Sequence, residues 1–313
     1  MEKTSLAFWG SGKFGFEVFK IIEQSRKFHI DCLITQPNRP KDRGYLLLAN
    51  EFTSYAEKNN YHIFTPIKID DDFIDLFQER SIEANVVASY GQIIPSKLLD
   101  LFKDKFINIH PSILPKYRGA SPIANSILNG DSKTGVTIML MDKGLDTGNI
   151  ILQKEFPITE SITRPELETS LAVLGGKLLI ESLPQYLSKQ ISSNPQPNSS
   201  QPATKRISRA DGLINWNNSA LYIYRQFRAF YSWPGIWTTY HKKMLKLTKI
   251  RLSEHGISDL SPGTVWQNQK SQLFIQTGKN SLEIIEIQLE GKKPVSGQEF
   301  INGYQNFIGS RLG

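Results

Sequence analysis

Phe106-Ile-Asn-Ile-His-Pro-Ser-Ile-Leu-Pro-Lys-Tyr-Arg-Gly-Ala-Ser-Pro122 is the stretch on which the reading of this chain turns. Phe106, Ile107 and Ile109 favour an extended strand. Pro111, Pro115, Gly119 and Pro122 keep a helix from starting until the loop that follows is complete. Asn108 and His110 lie two apart on that strand, so the alternation of side chains sends both to one side at its carboxyl end. Asn can donate to an oxygen that is becoming negative, and His can donate or move a proton near neutral pH, so the pair suits addition to a carbonyl. A strand-end Asn making a turn beside a His satisfied by backbone is the plainer alternative.

Downstream, Pro122 to Leu128 reads as a helix closed by Asn129-Gly130. Gly135 to Asp142 reads as an alternating strand, and Gly144-Leu-Asp146-Thr-Gly148 as a tight turn. Asp146 in that turn is suited either to orienting an imidazole or accepting a proton, or to serving as an ordinary turn aspartate. Upstream, Leu6 to Trp9 reads as a buried strand and Phe14 to Gln24 as an amphipathic helix. The intervening Gly10-Ser-Gly12-Lys-Phe-Gly15 has the spacing of a dinucleotide-binding turn. The acid expected at the end of the second strand is missing: Ile30 to Thr35 carries Asp31 near its start and finishes at Gln36-Pro37. Those glycines are therefore read as a tight turn with close helix packing.

Phe52 to Asn59 and Asp72 to Glu79 read as helices, Ile63-Phe64 as a short strand, and Asn85 to Ser89 as a buried one. Alternating strands and helices predict an α/β, doubly wound, mostly parallel sheet. Its ligand site would lie beyond the carboxyl ends of the strands, where Gly10, Gln36, Tyr90 and His110 converge. Tyr90 to Pro95 would wall a crevice there that suits a flat heterocycle. Gln36 to Tyr45, rich in proline and charge, is predicted to be a loop. Its cations Arg39, Lys41 and Arg43 suit a phosphate chain or a solvated surface equally.

Thr163 to Leu187 reads as one or two helices with Leu167, Leu171, Leu174, Leu178 and Leu179 on an apolar face that covers the sheet. The proline-punctuated stretch that follows has almost nothing to bury and reads as a linker. From Gly235 onward, alternating runs at Lys246 to Ile250, Leu273 to Thr277 and Leu282 to Leu289 predict a small β-barrel. Trp216, Trp233 and Trp237 are expected in its core rather than as exposed stacking surfaces. The predicted domains are 1–188, a linker at 189–205, and 206–313.

The length of 313 residues favours two domains. Of the net charge of +7, the whole excess is C-terminal: residues 204–313 carry 15 Lys and Arg against 7 Asp and Glu. A basic small domain beside a near-neutral one is a footprint for nucleic acid, or else a solvated basic surface. The single cysteine, Cys32, excludes an intramolecular disulfide or a multi-cysteine metal site and is expected to pack within a strand. The N-terminal residues lack the pattern of a secretory signal, and no run of 18 apolar residues occurs. A cytoplasmic protein with no membrane association is expected.

Asn108-x-His110-x-Ser112-x-Leu114-Pro115-x-Tyr117-Arg118-Gly119, followed by Gly144-Leu-Asp-Thr-Gly148, resembles the formyltransferases that use 10-formyltetrahydrofolate. The loop Gln36-Pro-Asn-Arg39-Pro-Lys41-Asp-Arg43-Gly44 is similar to that of the methionyl-tRNA formyltransferase family, with Asn38 where the family has Asp and Lys41-Asp42 where it has Ala-Gly. The segment Leu48-Ala-Asn-Glu51 replaces one rich in Pro and Ser. Arg206 to Trp216, Phe227 to Pro234 and Gly291 to Pro294 resemble the family's C-terminal part. The resemblance spans nearly the whole chain and implies a Rossmann-like formyltransferase domain followed by an OB-like tRNA-binding domain. It implies transfer of a formyl group from 10-formyltetrahydrofolate, a co-substrate, to the α-amine of methionyl initiator tRNA, with an amino-sugar nucleotide as the alternative formyl acceptor. Asn108, His110 and Asp146 would be catalytic. Ser112, Ile113, Leu114, Pro115, Gln92 and Ile94 would line the folate site, and Arg39, Lys41, Arg43 and Arg206 would hold tRNA. Neither a metal nor a nucleophilic side chain is expected, because an amine can attack the formyl carbon directly. A monomer is expected.

Overall fold

The computed structural model describes residues 3–38, 50–254, 256–257 and 259–313. Two compact units divide the chain. The first comprises 1–122, 132–158 and 166–204; the second comprises 123–131, 159–165 and 205–313.

In the first unit, the apolar runs recognised above form five parallel strands: β1 (Ser5–Gly10), β2 (His29–Ile34), β3 (Ile63–Phe64), β4 (Ala84–Ala88) and β5 (Phe106–His110). Helices α1 (Gly12–Ser25), α2 (Glu51–Asn59), α3 (Asp71–Gln78) and α4 (Ser96–Leu101) connect them; α5 (Pro122–Leu128) follows β5 in the chain and from Ile123 on belongs to the second unit. Two antiparallel strands, β6 (Lys133–Leu140) and β7 (Ile150–Pro157), complete a seven-stranded sheet of order β3-β2-β1-β4-β5-β6-β7. The strand order reverses at β1 and β4, which opens a crevice at their carboxyl ends, with β5 beside it. The alternating run read at Gly135 to Asp142 forms β6, two residues earlier at each end. All of it beyond Lys133 is buried, because its two faces are both covered.

Trp9 anchors this core. Its ring lies 5.2 Å from Phe77, 5.4 Å from Tyr90 and 5.5 Å from Phe106, and its indole N–H donates to Asn85 Oδ1 at 3.0 Å. Full burial of such a side chain is worth roughly 2–3 kcal/mol, which ties the ends of β4 and β5 to β1. A Cβ on Gly15 would lie 2.5 Å from the carbonyl oxygen of Ala88, so α1 packs on the sheet at a distance only glycine permits. Asp31 is paired with Arg80 at 2.6 Å, and Cys32 is fully buried, with burial and the neighbouring Asp31 pushing its thiol up to about 12. Helix α6 (Arg164–Leu187) is one continuous helix whose Gly175 and Gly176 allow Ile109, Val136 and Ile21 to approach closely. Leu167, Leu171, Leu178 and Leu179 are buried, while Leu174 is only half-buried.

The second unit is built on α7 (Ala220–Ala229) and an antiparallel sheet. Its strands are β8 (Ile236–Tyr240), β9 (Lys243–Ser253), β10 (Val265–Gln267), β11 (Leu273–Gln276), β12 (Ser281–Leu289) and β13 (Val295–Ser296), and α8 (Gly297–Gly303) follows them. The order β10-β11-β12-β9-β8, with β13 on β12, makes the OB-like barrel an open half-barrel. Arg228 is buried and donates to the carbonyls of Thr159 and Ile162, holding that short excursion against α7. Trp216 is buried and donates to Thr238 Oγ1; Trp237 is half-buried and donates to the Arg209 carbonyl. Trp233 corrects the expectation of a core position, being 52% exposed. It lies in the tight reversal after α7, closed by the Gly235 N–H on the Phe230 carbonyl, and a side chain on the outside of so short a turn faces water. No helix among the described residues is long and apolar enough to cross a membrane.

Candidate active site

Three loops meet beyond the carboxyl end of β5. The strand delivers Asn108 and His110 to the same side, as period-two geometry requires. The return from β6 to β7 delivers Asp146, whose φ is +55°. Asp142 shapes this return by accepting from the Gly144 N–H and the Thr147 hydroxyl, while a Cβ at Gly148 would collide with the Leu140 carbonyl.

The Asp146 carboxylate is the hub. Its Oδ1 lies 3.5 Å from Asn108 Nδ2, and its Oδ2 lies 3.6 Å from His110 Nδ1 and accepts from the Gly119 N–H at 2.7 Å. His110 Nε2 lies 3.0 Å from the Tyr117 carbonyl oxygen. A carbonyl only accepts, so Nε2 carries the hydrogen and Nδ1 is the atom turned to Asp146. The backbone-satisfied histidine and the chemically available one are thus the same residue, one nitrogen each. His110 is buried, and the carboxylate of Asp146 is 15% exposed. Solvent, and hence a substrate, reaches the group from the Asp146 and Asn108 side.

The loop between His110 and Gly119 is held from beneath. Thr137, fully buried on β6, donates to the Ser112 carbonyl at 2.6 Å and accepts from the Leu114 N–H and from Gln153 Nε2. Gln153 also donates to the Leu114 carbonyl, and the Ser112 hydroxyl donates to the Lys116 carbonyl. Ser112 and Leu114 are therefore buried parts of the loop's framework, and Ile113 and Pro115 are its partly exposed members. Gln92 donates to the Pro66 carbonyl at 3.1 Å, and Ile94 is packed in the core around Trp9. In the same crevice loop Ile93 is 91% exposed. Gln36 links the neighbouring loops by donating to the Tyr90 carbonyl at 2.7 Å. Arg39, Lys41 and Arg43 lie outside the described residues, and Arg206 is exposed at the start of the second unit's main segment. Among the described residues there is no group of three or more His, Cys, Asp or Glu side chains placed to hold a metal ion.

Four residues to which the sequence reading gave no role belong to this assembly. Thr137 and Gln153 carry only a weak signal, polar side chains within otherwise apolar strands. Arg118 lies within the motif but showed no role. Gln196, in the stretch read as linker, joins the Asp146 turn to Arg118 and could be found only from the fold.

Residues 5–183 match the family described as formyl transferase, and residues 206–305 match the formyl transferase C-terminal domain. This is the class of protein that the fold defines. A methionyl-tRNA formyltransferase of Thermodesulfovibrio yellowstonii is 36% identical over 301 residues, covering 96% of each chain. One from Dehalococcoides mccartyi strain CBDB1 is 35% identical over 318 residues, covering 100% of each. The chain belongs to the methionyl-tRNA formyltransferase family. Among solved structures, the sugar 3N-formyl transferase WlaRD, determined with dTDP and 5-N-formyl-THF, superposes with a TM-score of 0.66 at 22% identity, covering 94% of this chain and all of that one. HypX from Aquifex aeolicus in complex with tetrahydrofolic acid gives 0.61 at 13%, covering 98% of this chain and 48% of that one. These two share the fold.

Proposed function

We propose that the protein transfers the formyl group of 10-formyltetrahydrofolate to the α-amine of methionine esterified to initiator tRNA. The observation that carries this reading is relatedness at about one-third identity, end to end, to proteins bearing the methionyl-tRNA formyltransferase name. The amino-sugar alternative rests on a shared fold alone. Apolar surface at Ile93, Ile113 and Pro115, on loops held in shape by Thr137, Gln153 and Gln36, supports a folate site here. Ser112, Leu114 and Ile94 serve that site by packing and by fixing the loops that carry Ile113, Pro115 and Ile93. Gln92 sits on its rim.

The co-substrate supplies an activated formyl carbon. Asn108 Nδ2 donates to the formyl oxygen as attack makes it negative, and His110, when protonated at Nδ1, donates to the same oxygen. The Asp146 carboxylate, 3.5–3.6 Å from both, favours their donor atoms facing the site by its charge and accepts the proton that the attacking amine must lose. The carbon–nitrogen bond to the folate then breaks, and the pair of Asp146 and His110 returns a proton to the departing folate nitrogen. Electrons and protons balance without a redox partner. Arg206 and the basic surface of the second unit, with +8 in residues 204–313, favour the tRNA phosphates. Arg39, Lys41 and Arg43 are assigned to the same task by resemblance. The protein is expected to act as a monomer in the cytoplasm.

The test is transfer of labelled formyl from 10-formyltetrahydrofolate, with initiator methionyl-tRNA, elongator methionyl-tRNA, free methionine and a dTDP-amino sugar offered in parallel. Selective labelling of the initiator is expected. Labelling of the sugar alone would replace this reading with its alternative.

A further inference from the structure

We propose that Gln196 is a positioning residue for formyl transfer, holding the Asp146 turn and the Arg118-Gly119 turn in one register. The proposal rests on the reading above. The Gln196 side chain has its full complement of hydrogen bonds. Its Nε2 donates to the carbonyls of Asp146 at 2.8 Å and Gly148 at 2.9 Å, and its Oε1 accepts from Arg118 Nε at 3.0 Å and Nη2 at 2.6 Å. An amide has two donor hydrogens and two acceptor lone pairs, and all four are used.

These bonds close a ring. Arg118 precedes Gly119, Gly119 N–H grips the Asp146 carboxylate, Asp146 presents its carbonyl to Gln196, and Gln196 returns to the Arg118 guanidinium. The backbone carrying Gln196 is pinned on both sides. Asn194 exchanges two hydrogen bonds with Ile150, at 2.8 Å each, and Thr204 pairs with Arg118 and Ala120 and accepts from the Ser121 N–H through its hydroxyl. Residues 194–204 thus link the start of β7 to the turn at Arg118–Ser121, with the Gln196 side chain bonded to both the Asp146 turn and Arg118.

The ring matters because the distances in the site are long. Asp146 stands 3.5–3.6 Å from Asn108 and His110, beyond the range of strong hydrogen bonds, so those contacts do not place its carboxylate. Its placement depends on the Gly119 N–H and on the conformation of the turn, in which Asp146 holds a φ of +55° that most residues avoid. Gln196 fixes both. Without it the two turn carbonyls would be hydrated by water, and the chain would still fold, but the carboxylate would range over a wider volume.

Two variants test this. Gln196→Met keeps the length and removes every hydrogen bond. Gln196→Glu keeps the bonds from Arg118 and turns an oxygen on two carbonyls. Both are expected to lower kcat about 10- to 100-fold, with KM for 10-formyltetrahydrofolate and for methionyl-tRNA within about twofold of the parent. In an Asp146→Asn background Gln196→Met is expected to cost almost nothing further, because the group it places is gone; a merely structural role would lower kcat by the same factor in both backgrounds. Hydrogen exchange at the Gly119 amide, read without any substrate, is expected to accelerate in both variants. Parental kcat in Gln196→Met, an additive loss, or unchanged Gly119 exchange would each overturn the proposal. Failure of the parent to formylate any acceptor would sink the proposed function instead, and the exchange result would still decide whether Gln196 holds the turn.

Discussion

Replacing Asp146 by Asn is the sharpest test of the site. An Asn at this position still offers an amide oxygen to the Gly119 N–H, now 2.7 Å from Asp146 Oδ2, and tolerates the left-handed backbone. The loss to folding is the difference between a charge-assisted and a neutral hydrogen bond, about 1 kcal/mol. A melting temperature lower by roughly 1–2 °C follows for a chain of this size. The loss to chemistry is far larger. The variant cannot accept a proton, and its amide hydrogens oppose those of Asn108 or point at His110 Nδ1. Removal of a positioned general base costs about 10²- to 10⁴-fold, equivalent to roughly 3–5 kcal/mol in the barrier. Single-turnover transfer of labelled formyl to initiator methionyl-tRNA, with folate affinity measured separately by titration, isolates that term. Turnover within tenfold of the parent, with normal folding, would refute the assignment of Asp146 to proton removal.

Thr137→Val leaves the Ser112 carbonyl, the Leu114 N–H and Gln153 without a shared partner, at about 1–3 kcal/mol for each buried group stranded; it should weaken folate binding more than it alters kcat, and Thr137→Ser should restore both by equilibrium titration and chemical denaturation. Gly15→Ala puts a methyl group 2.5 Å from the Ala88 carbonyl oxygen and should destabilise the chain by about 1–3 kcal/mol in denaturant despite the better helix propensity of alanine; equal or greater stability would show that α1 is free to shift. Cys32, fully buried and pushed up to about 12, should resist a thiol reagent at pH 8 in the native protein and react once the chain is unfolded. With its folded value raised, the stability it contributes is complete below the ordinary thiol pKa and declines as pH rises from there towards 12; Cys32→Ala should therefore show a flatter loss of stability on that alkaline limb.

Much of the molecule was legible in local chemistry. Strand period, helix period and glycine or proline punctuation depend on residues a few positions apart, so they place β5, α5, α6, β11 and β12 to within a residue or so of where they occur and find the middle of β9, while β8, β10 and β13 were not singled out. The convergence of Asn108 and His110 is of this kind, because alternation along one strand is enough to put two side chains on one side. Other features were decided by tertiary structure. The burial of β6 on both faces, the exposure of Trp233 and the buried, framework role of Ser112 depend on what covers each residue, and covering elements come from distant sequence. Which nitrogen of His110 faces Asp146 was settled by the Tyr117 carbonyl, through a turn that doubles back seven residues on. Gln196 lies 50 residues from Asp146 and 78 from Arg118, in a proline-rich stretch whose composition marks only a connector. Composition and periodicity report what a segment can bury by itself, whereas a hydrogen-bond ring closed across the site exists only once the chain has brought its separate turns together.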